Sequence, residues 1–327
     1  MENNNIYKGK NSNINKKRFY KMWAVIIALI LLLTGCMVPE KEEKSQDKAL
    51  ITGEYNVNNK TLDGHLTETL TVHFLDVGQG DCTLITCGDH AMLIDAGDNN
   101  KGTTVELYLK KQNIKKLDYV IGTHPDADHV GGLDVIIYKF DCDTIILPDF
   151  EKSTATYRDV IDTINNKSYK ITRPEAGKTY SLGQAEFTVI SPVSDDYGDN
   201  ANNYSVGIRL EYGDTSFLLA GDAEEEAEED MLNSGEELKA DVFKVSHHGS
   251  KTSNTEEFLD KVNPGYAVIS CGEDNKYGHP HAQTLNTLRA MGIKVFRTDE
   301  QGAVIIKSDG KELTFNCSPS ESWKAGN

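Results

Sequence analysis

The stretch IGTHPDADHVGG, residues 121–132, brings four potential metal-binding side chains onto one short turn. An apolar run, LDYVIG, leads into the turn and is typical of a buried strand, and two glycines close it. The four side chains are those of His124, Asp126, Asp128 and His129. Imidazole and carboxylate groups are ligands that divalent cations such as Zn²⁺ and Mn²⁺ take in proteins. The stretch therefore predicts a metal site at the end of a buried strand.

Further candidate ligands follow other predicted strands. Six of the nine histidines lie in three short clusters, which are His124 with His129, His247 with His248, and His279 with His281. Asp222 ends another apolar run, FLLAGD. Loops at strand ends bring residues that are distant in sequence into one pocket. We therefore expect one site with two divalent cations, which would bridge and acidify a water molecule.

The rest of the pattern alternates strands and helices. Strands are predicted for TLTVHFLDV, DCTLITC and HAMLIDAG, and helices for TTVELYLKKQ, TATYRDVIDTIN and AEEEAEEDMLNSG. Thr103 or Thr104 is available to cap the first of these helices. Hairpins are predicted for YSVGIRLEYGDTSFLLAGD and GAVIIKSDGKELTFNC. One domain of mixed strands and helices is expected over residues 66–318, followed by a C-terminal tail over 319–327.

The motif HPDADHVGG resembles the H-x-[HD]-x-D-H motif of the metallo-β-lactamase superfamily. A wider set of motifs, in order between residues 71 and 317, is similar to the extracellular hydrolase domain of the competence DNA-uptake protein ComEC. These motifs are FLDVGQGDC, LIDAGD, HPDADHVGG, NNYSVGIRLEYGDTSFLLAGD, KVSHHGS and YGHPH. The resemblance implies an α/β (α+β) fold, a four-layered αββα sandwich with the metals at one edge of the sheets.

The resemblance also implies the ligand set. His124 and Asp126 would hold the first metal, and Asp128 and His129 would hold the second. Asp222 would bridge both metals. His248 would complete the second site, next to His247, which would serve substrate binding or proton transfer.

Other residues are implied to support the reaction. His279 would be either a further ligand or a general acid near the leaving group. Asp95 would brace the ligand loop without binding a metal itself, and Asp81, in the turn GQGD, is a candidate for the same supporting role. The candidate catalytic residues are Asp128, His247 and His279.

Two departures from the superfamily pattern affect the first metal site. Asp126 stands where many members have histidine. Many members also place a histidine ligand about 20 residues before the bridging aspartate, and no histidine lies between His129 and His247. The candidates to replace it are Asn203, which stands 19 residues before Asp222, and its rivals Asn202 and Ser205. The first site should then be richer in oxygen, which favours Mn²⁺ relative to Zn²⁺.

The N-terminus predicts export. A basic flank, KKRFYKMW, precedes the apolar run AVIIALILLL, and LTGC ends it at Cys36. The ending resembles a bacterial lipobox, so residues 1–36 are predicted to be a lipoprotein signal peptide with Cys36 as the lipidation site. The alternative is an uncleaved membrane anchor. Residues 37–65 are polar and predict a flexible tether. Either interpretation places the domain at the extracellular face of the bacterial cell membrane.

The net charge of the chain after the leader is relevant to whether the substrate is a nucleic acid. Six of the 34 basic and one of the 51 acidic residues lie in the leader, which leaves 28 against 50 and a formal charge of −22. This charge argues against a broad basic surface for nucleic acid, although bound cations can set the charge of a cleft. The resemblance implies a phosphodiesterase or nuclease that acts on DNA. The alternatives are a hydrolase of a small or cell-wall phosphodiester, like the phosphorylcholine esterases, and a non-catalytic surface lipoprotein that binds nucleic acid or a partner. No protein partner is predicted.

Overall fold

Two β-sheets pack against each other in the part of the chain that the computed structural model describes, residues 66–326. The strands are β1 (Leu70–Phe74), β2 (Thr83–Cys87), β3 (His90–Ile94), β4 (Lys116–Ile121), β5 (Asp141–Ile146), β6 (Ile171–Thr172), β7 (Thr179–Leu182), β8 (Ala185–Ser191), β9 (Gly207–Tyr212), β10 (Thr215–Leu219), β11 (Val242–Lys244), β12 (Tyr266–Ile269), β13 (Lys294–Arg297), β14 (Val304–Ser308) and β15 (Leu313–Phe315). The first sheet has the order β15-β14-β1-β2-β3-β4-β5-β6, and the second has the order β13-β12-β11-β10-β9-β8-β7.

Helices cover the outer face of each sheet. They are α1 (Gly102–Lys111), α2 (Ala127–Val130), α3 (Leu133–Lys139), α4 (Ala155–Asn166), α5 (Glu225–Asn233), α6 (Glu256–Val262), α7 (Ala282–Ala290) and α8 (Thr298–Gln301), with 3₁₀ turns at Ala201–Tyr204 and Ser246–Gly249. Val105 of α1 and Ile136 of α3 pack in a core with the first sheet, and Met231 of α5 and Leu285 of α7 pack in a core with the second. The predicted four-layered αββα sandwich is confirmed. Between residues 66 and 326, no helix has the length and apolar character needed to cross a bilayer.

A third core lies between the two sheets. Phe74 and Met92 enter it from the first sheet, and Phe187 and Phe217 enter it from the second; all four are fully buried. Successive side chains of a strand point to opposite faces, so each central strand contributes both to this core and to a helix-covered core. This double burial explains why runs such as LDYVIG and SFLLAG are almost continuously apolar.

The strand directions bring the candidate ligands to one edge. β3, β4 and β5 run parallel in the first sheet, and β10 to β13 run parallel in the second. The carboxyl ends of parallel strands meet at the same edge of a sheet. Asp95 follows β3, the HPDADHVGG turn follows β4, Asp222 follows β10, and His247 with His248 follow β11. The edges of both sheets therefore contribute to one site.

The predicted cap of α1 is wrong. The helix begins at Gly102, after Lys101, and neither threonine caps it, since no side chain bonds at its N-cap. Gly102 lies against α3: a Cβ there would come within 2.8 Å of the Val135 side chain and 3.0 Å of the Gly132 carbonyl oxygen. The first residue of the helix is therefore a position without room for a side chain.

The segment 319–326, expected as a tail, lies on the second sheet and its helices. The Ser320 N–H donates to the carbonyl oxygen of Val295 at 2.7 Å, and Arg297 donates to the carbonyl oxygen of Lys324 at 2.6 Å. The Trp323 ring packs at the edge of the helix-covered core. This segment therefore packs on the domain as far as residue 326.

Glu228 joins α5 to the start of α6. Its side chain is fully buried, and it accepts hydrogen bonds from the backbone N–H groups of Asn254 at 2.6 Å and Thr255 at 2.9 Å. Burial raises the pKa of Glu228 to about 7, although these two N–H groups oppose the shift. A carboxyl group with a raised folded-state pKa binds more protons in the folded state than in the unfolded state.

Glu228 should therefore make the free energy of unfolding depend on pH. Its contribution is fully present below the ordinary pKa of 4.5 and is lost as the pH rises to about 7. The loss is on the order of 3 kcal/mol. Glu228→Gln cannot ionise, so urea unfolding across this pH range should show a flatter profile for the variant. Parallel profiles for the two proteins would contradict this prediction.

Candidate metal centre

The ligand turn is held by close backbone packing. Asp126 precedes α2, and the Ala96 N–H donates to the His129 carbonyl oxygen at 2.8 Å. The Asp81 N–H donates to the Asp128 carbonyl oxygen at 3.0 Å, which ties the GQGD turn to the ligand turn. Gly131 and Gly132 permit the turn to pack closely on the segment 96–99: a Cβ on Gly131 would meet the carbonyl carbon of Asp98 at 2.6 Å, and a Cβ on Gly132 would meet the carbonyl oxygen of Ala96 at 2.5 Å. The two glycines are thus required by packing.

Ligand atoms of the predicted second site lie at the spacing of a metal coordination shell. His129 Nε2 is 3.1 Å from Asp222 Oδ2 and 3.3 Å from His248 Nε2. His248 Nε2 is in turn 3.4 Å from Asp128 Oδ2 and 3.4 Å from Asp222 Oδ2. Ligands about 2.0–2.2 Å from a tetrahedral cation are about 3.3–3.6 Å from one another. The ligand atoms of His129, Asp222 and His248 therefore fit a divalent cation between them, and Asp128 adjoins them at His248. A carboxylate oxygen of Asp81 also lies within 4.8 Å of ligand atoms of these three residues.

Neighbouring groups orient the two histidine ligands. His129 Nδ1 lies 2.8 Å from Asp95 Oδ2, and His248 Nδ1 lies 2.9 Å from the carbonyl oxygen of Ser270. A proton on each Nδ1 satisfies these acceptors and leaves each Nε2 lone pair facing the cluster. Asp95 also accepts from the N–H and hydroxyl of Thr123, at 2.8 and 2.7 Å. Asp95 thus lies behind His129 and contacts both His129 and Thr123.

The turn that carries His248 has a strained backbone. His247 and His248 both have left-handed φ angles, 51° and 54°, which side chains other than glycine rarely adopt. The buried side chain of Asn254 fixes the turn, since it accepts from the Ser246 N–H at 2.9 Å and donates to the Ser246 carbonyl oxygen at 3.0 Å. The strained backbone conformation directs the His248 side chain into the cluster.

Asp222 lies between the predicted sites. Its Oδ2 is in the cluster and 4.0 Å from His124 Nε2, and its buried Oδ1 has no hydrogen-bond partner among the described residues. Burial alone would raise the pKa of Asp222, but the positive charge of the His129 and His248 rings in their protonated, metal-free form outweighs burial and holds the pKa well below its usual range. An ionised carboxylate with a free oxygen beside a second imidazole suits a bridging ligand.

The first site is more open. His124 Nε2 is buried without a hydrogen-bond partner, as a ligand awaiting a cation would be, but Asp126 forms an ion pair with Lys152 at 2.5 Å. Burial lowers the pKa of His124 to about 4, so its imidazole is neutral and able to bind a metal. The buried His and Asp groups fit a site for two cations, with the first less completely enclosed.

The structure does not present Asn203 as the replacement ligand. Its Oδ1 accepts from the Glu224 N–H at 3.0 Å and its Nδ2 donates to Glu226 at 3.0 Å, so its amide holds the start of α5. Ser205 is likewise engaged, since its hydroxyl accepts from the Asp222 N–H at 3.1 Å. Of the three candidates, Asn202 lines the cavity beside the cluster. Position in sequence could not separate these neighbours, because a 3₁₀ turn points their side chains in different directions.

His247 and His279 flank the cluster. A cavity of about 100 Å³ is lined by Gln79, Asp126, Asp128, Asn202, Asp222, His247, His248, Tyr277 and His279. His247 Nδ1 lies 3.2 Å from Glu224, and its Nε2 lies 3.8 Å from Asp222. His279 Nδ1 is buried without a partner. Burial, with the neighbouring His248, lowers the pKa of His279 to about 3. His281 instead accepts from the Lys251 N–H at 3.0 Å.

Lys244 is a site residue that the sequence analysis misses. It ends β11, is 2% exposed, and forms an ion pair with Asp81 at 2.5 Å. Asp81 Oδ1 is 3.3 Å from His248 Nδ1, but the N–H at Nδ1 donates its hydrogen bond to the Ser270 carbonyl oxygen. Asp81 therefore lies beside the Nδ1 edge of His248, and one of its carboxylate oxygens is close enough to ligand atoms of His129, Asp222 and His248 to share a metal with them. A lysine directly inside the apolar run DVFKV was the available signal, since buried lysines need a partner.

Removing the Lys152 charge should strengthen the first site. Lys152→Met frees Asp126, so the weaker of two cation equivalents should bind about threefold more tightly, while the tighter one is unchanged. Calorimetric titration of the metal-stripped protein with Mn²⁺ measures both steps, and Lys115→Met, at an exposed lysine, is the control. Equal affinities in the variant and the wild-type protein would show that the ion pair does not compete with a cation.

The αββα sandwich and its buried His/Asp cluster define a metal-dependent hydrolase. The family model described as "Metallo-beta-lactamase superfamily" matches residues 75–273. The chain belongs to the metallo-beta-lactamase superfamily, and its domain is of the ComEC-like kind.

Curated relatives agree with this assignment. ComE operon protein 3 of Bacillus subtilis is 31% identical over 76% of this chain and 34% of its own length. Recombination protein 2 of Haemophilus influenzae is 32% identical over 72% of this chain and 28% of its own length. Competence protein ComA of Neisseria gonorrhoeae is 29% identical over 70% of this chain and 31% of its own length. The chain thus spans about a third of the length of these relatives.

Proposed function

We propose that this chain is a membrane-tethered, metal-dependent phosphodiesterase that cuts DNA on the outer side of the bacterial cell membrane. The observation that carries the proposal is the cluster of His129, Asp222 and His248, whose ligand atoms lie 3.1–3.4 Å apart, with Asp128 3.4 Å from His248, beside a cavity of about 100 Å³. The cavity has room for about three water molecules, which also suits a phosphoryl group.

The residues around the cavity would have separate roles in hydrolysis. Two bound divalent cations would polarise the phosphoryl oxygen and acidify a water molecule. Asp95 and the Ser270 carbonyl oxygen keep the two ligand histidines in one tautomer and one orientation. His279, a neutral imidazole with an unpartnered Nδ1 beside the cavity, would hydrogen-bond the substrate near the leaving oxygen, and His247 would also contact the substrate.

The relatives' names support a DNA substrate. Competence and recombination are processes on DNA, and three relatives carry these terms or the ComE name. The net negative charge of the chain does not oppose the proposal, since bound cations can set the charge at the cleft. We further propose Mn²⁺ as the favoured metal, because Asp126, Asp222 and Asn202 make the first site rich in oxygen.

The proposed location rests on the leader. Cys36 and residues 1–65 lie outside the described residues, so the lipid anchor and the tether remain predictions from the sequence. Cys36→Ser should prevent lipid attachment, and mass spectrometry of the N-terminal peptide together with fractionation of cells reports it. A wild-type protein without a lipid-modified Cys36 would contradict the lipoprotein proposal.

The alternatives can be separated in one assay. The full chain in detergent is stripped of metal and given single-stranded DNA, double-stranded DNA or bis(p-nitrophenyl) phosphate, with Mn²⁺, Zn²⁺ or chelator. DNA cleavage that needs metal supports the nuclease. Turnover of the ester alone supports a small or cell-wall phosphodiester, and metal binding without any turnover supports the binding-protein alternative.

A further inference from the structure

Tyr277 is an exposed aromatic side chain at the candidate metal centre. Among the described residues, the exposed large hydrophobic side chains are Leu107, Tyr138, Val193 and Tyr277. Tyr277 alone of these four lines the cavity beside the cluster, and half of its side chain is accessible. An aromatic ring left open at the edge of a polar cavity offers a flat surface to a ligand.

The loop that carries Tyr277 is held firmly. Asn275 is buried, and its Oδ1 accepts from the N–H groups of Tyr277 at 3.2 Å and His279 at 3.0 Å. Its Nδ2 donates to the carbonyl oxygens of Gly272 at 2.9 Å and His279 at 2.6 Å. The Gly272 N–H donates to Gln79 at 3.2 Å, which ties the loop to the GQGD turn. The position of Tyr277 beside the cavity is therefore set by buried bonds.

The ring itself is also positioned. It stacks on the His279 ring with an interplanar angle of 20° and a centroid distance of 5.7 Å. The ammonium group of Lys276 lies 5.0 Å from the ring centroid. An aromatic surface next to a cation is the combination by which proteins hold a nucleobase and its neighbouring phosphate without reading sequence.

We propose that Tyr277 is a stacking platform for an unpaired nucleobase next to the scissile phosphodiester, with Lys276 meeting an adjacent phosphate. This inference rests on the proposed DNA substrate and narrows it. A base inside a duplex cannot stack on Tyr277 without leaving its partner, so single strands are the substrate class of this site.

The chain offers a matched control. Tyr138, at 64% exposure on α3, has Lys139 at 5.4 Å from its ring centroid, so it repeats the tyrosine–lysine pair. Tyr138 is not among the residues that line the cavity. A general effect of losing a surface tyrosine would affect both positions, whereas a platform would affect Tyr277 alone.

The test compares two short single-stranded oligonucleotides that differ only in whether bases or abasic residues stand at the cleavage region. With the base-containing strand, Tyr277→Ala in the full chain should raise KM about tenfold, Tyr277→Phe should stay near wild type, and Tyr138→Ala should change nothing. With the abasic strand, Tyr277→Ala and the wild-type protein should have equal KM values. Wild type should also cut single strands better than duplex.

The result that would overturn the platform is a Tyr277→Ala effect of the same size on both strands, or no effect on either. Binding is measured separately with a single strand that carries a fluorescent adenine analogue, whose emission is quenched by stacking. If wild type cuts no DNA, the proposed nuclease function fails. Quenching that depends on Tyr277 would then still support the platform, and its absence would reject the platform as well.

Discussion

Asp222→Asn is expected to abolish metal-dependent hydrolysis. Asp222 Oδ2 lies 3.1 Å from His129 Nε2 and 3.4 Å from His248 Nε2, and it is 4.0 Å from His124 Nε2. One carboxylate therefore faces the ligands of both predicted cations. Altering a group that only supports a ligand costs about 10- to 100-fold in metal affinity or activity. Loss of a ligand that both cations share should therefore lower the activity by more than this range. It should also weaken the binding of the second cation equivalent by more than this range.

The measurement combines rates on a phosphodiester with the metal content of the purified protein. Asp199→Asn, at an exposed aspartate, changes the same formal charge outside the cluster and should leave both unchanged. The fold should survive in Asp222→Asn, because asparagine keeps the shape and the backbone bond to Ser205 does not involve the side chain. Full metal content with full turnover in Asp222→Asn would refute the bridging role.

Lys244→Met is expected to cause the largest loss of stability. Lys244 and Asp81 form an ion pair in which the side chains are 3% and 4% exposed, so either partner alone becomes a buried, uncompensated charge. Breaking a buried pair from one side typically costs about 3–5 kcal/mol. Asp81→Asn should cost a similar amount. The pair also holds the pKa of Asp81 low: burial alone would raise it, and Lys244 and His248 outweigh burial.

The double variant Asp81→Asn, Lys244→Met tests whether the cost comes from the pair. Since no unpaired charge remains, its free energy of unfolding in urea should fall by clearly less than the sum of the two single losses. Metal content is measured beside stability, because Asp81 lies against His248. Losses that simply add would show that the two side chains act independently and that the ion pair is not the stabilising contact.

Several helices and hairpins could be predicted from the local sequence pattern. The helices TATYRDVIDTIN and AEEEAEEDMLNSG correspond to α4 and α5, and the two predicted hairpins correspond to β9 with β10 and β14 with β15. No element was assigned over residues 133–146, where the structure has α3 and β5. The run LDVIIYKFDCDTIIL is apolar in a way that fits a helix or a buried strand equally, and only packing against neighbours separates the two.

The sequence by itself determined the superfamily, the sandwich and the location of the candidate site, because these depend on short motifs at the ends of buried strands. Tertiary structure alone decided three side-chain partnerships. Lys244 forms an ion pair with Asp81, Asn203 accepts a hydrogen bond at the start of α5, and Lys152 forms an ion pair with Asp126. Each partnership joins residues 20 or more positions apart through contacts of 2.5–3.0 Å. Such distances follow from side-chain direction and burial, which spacing along the chain does not encode.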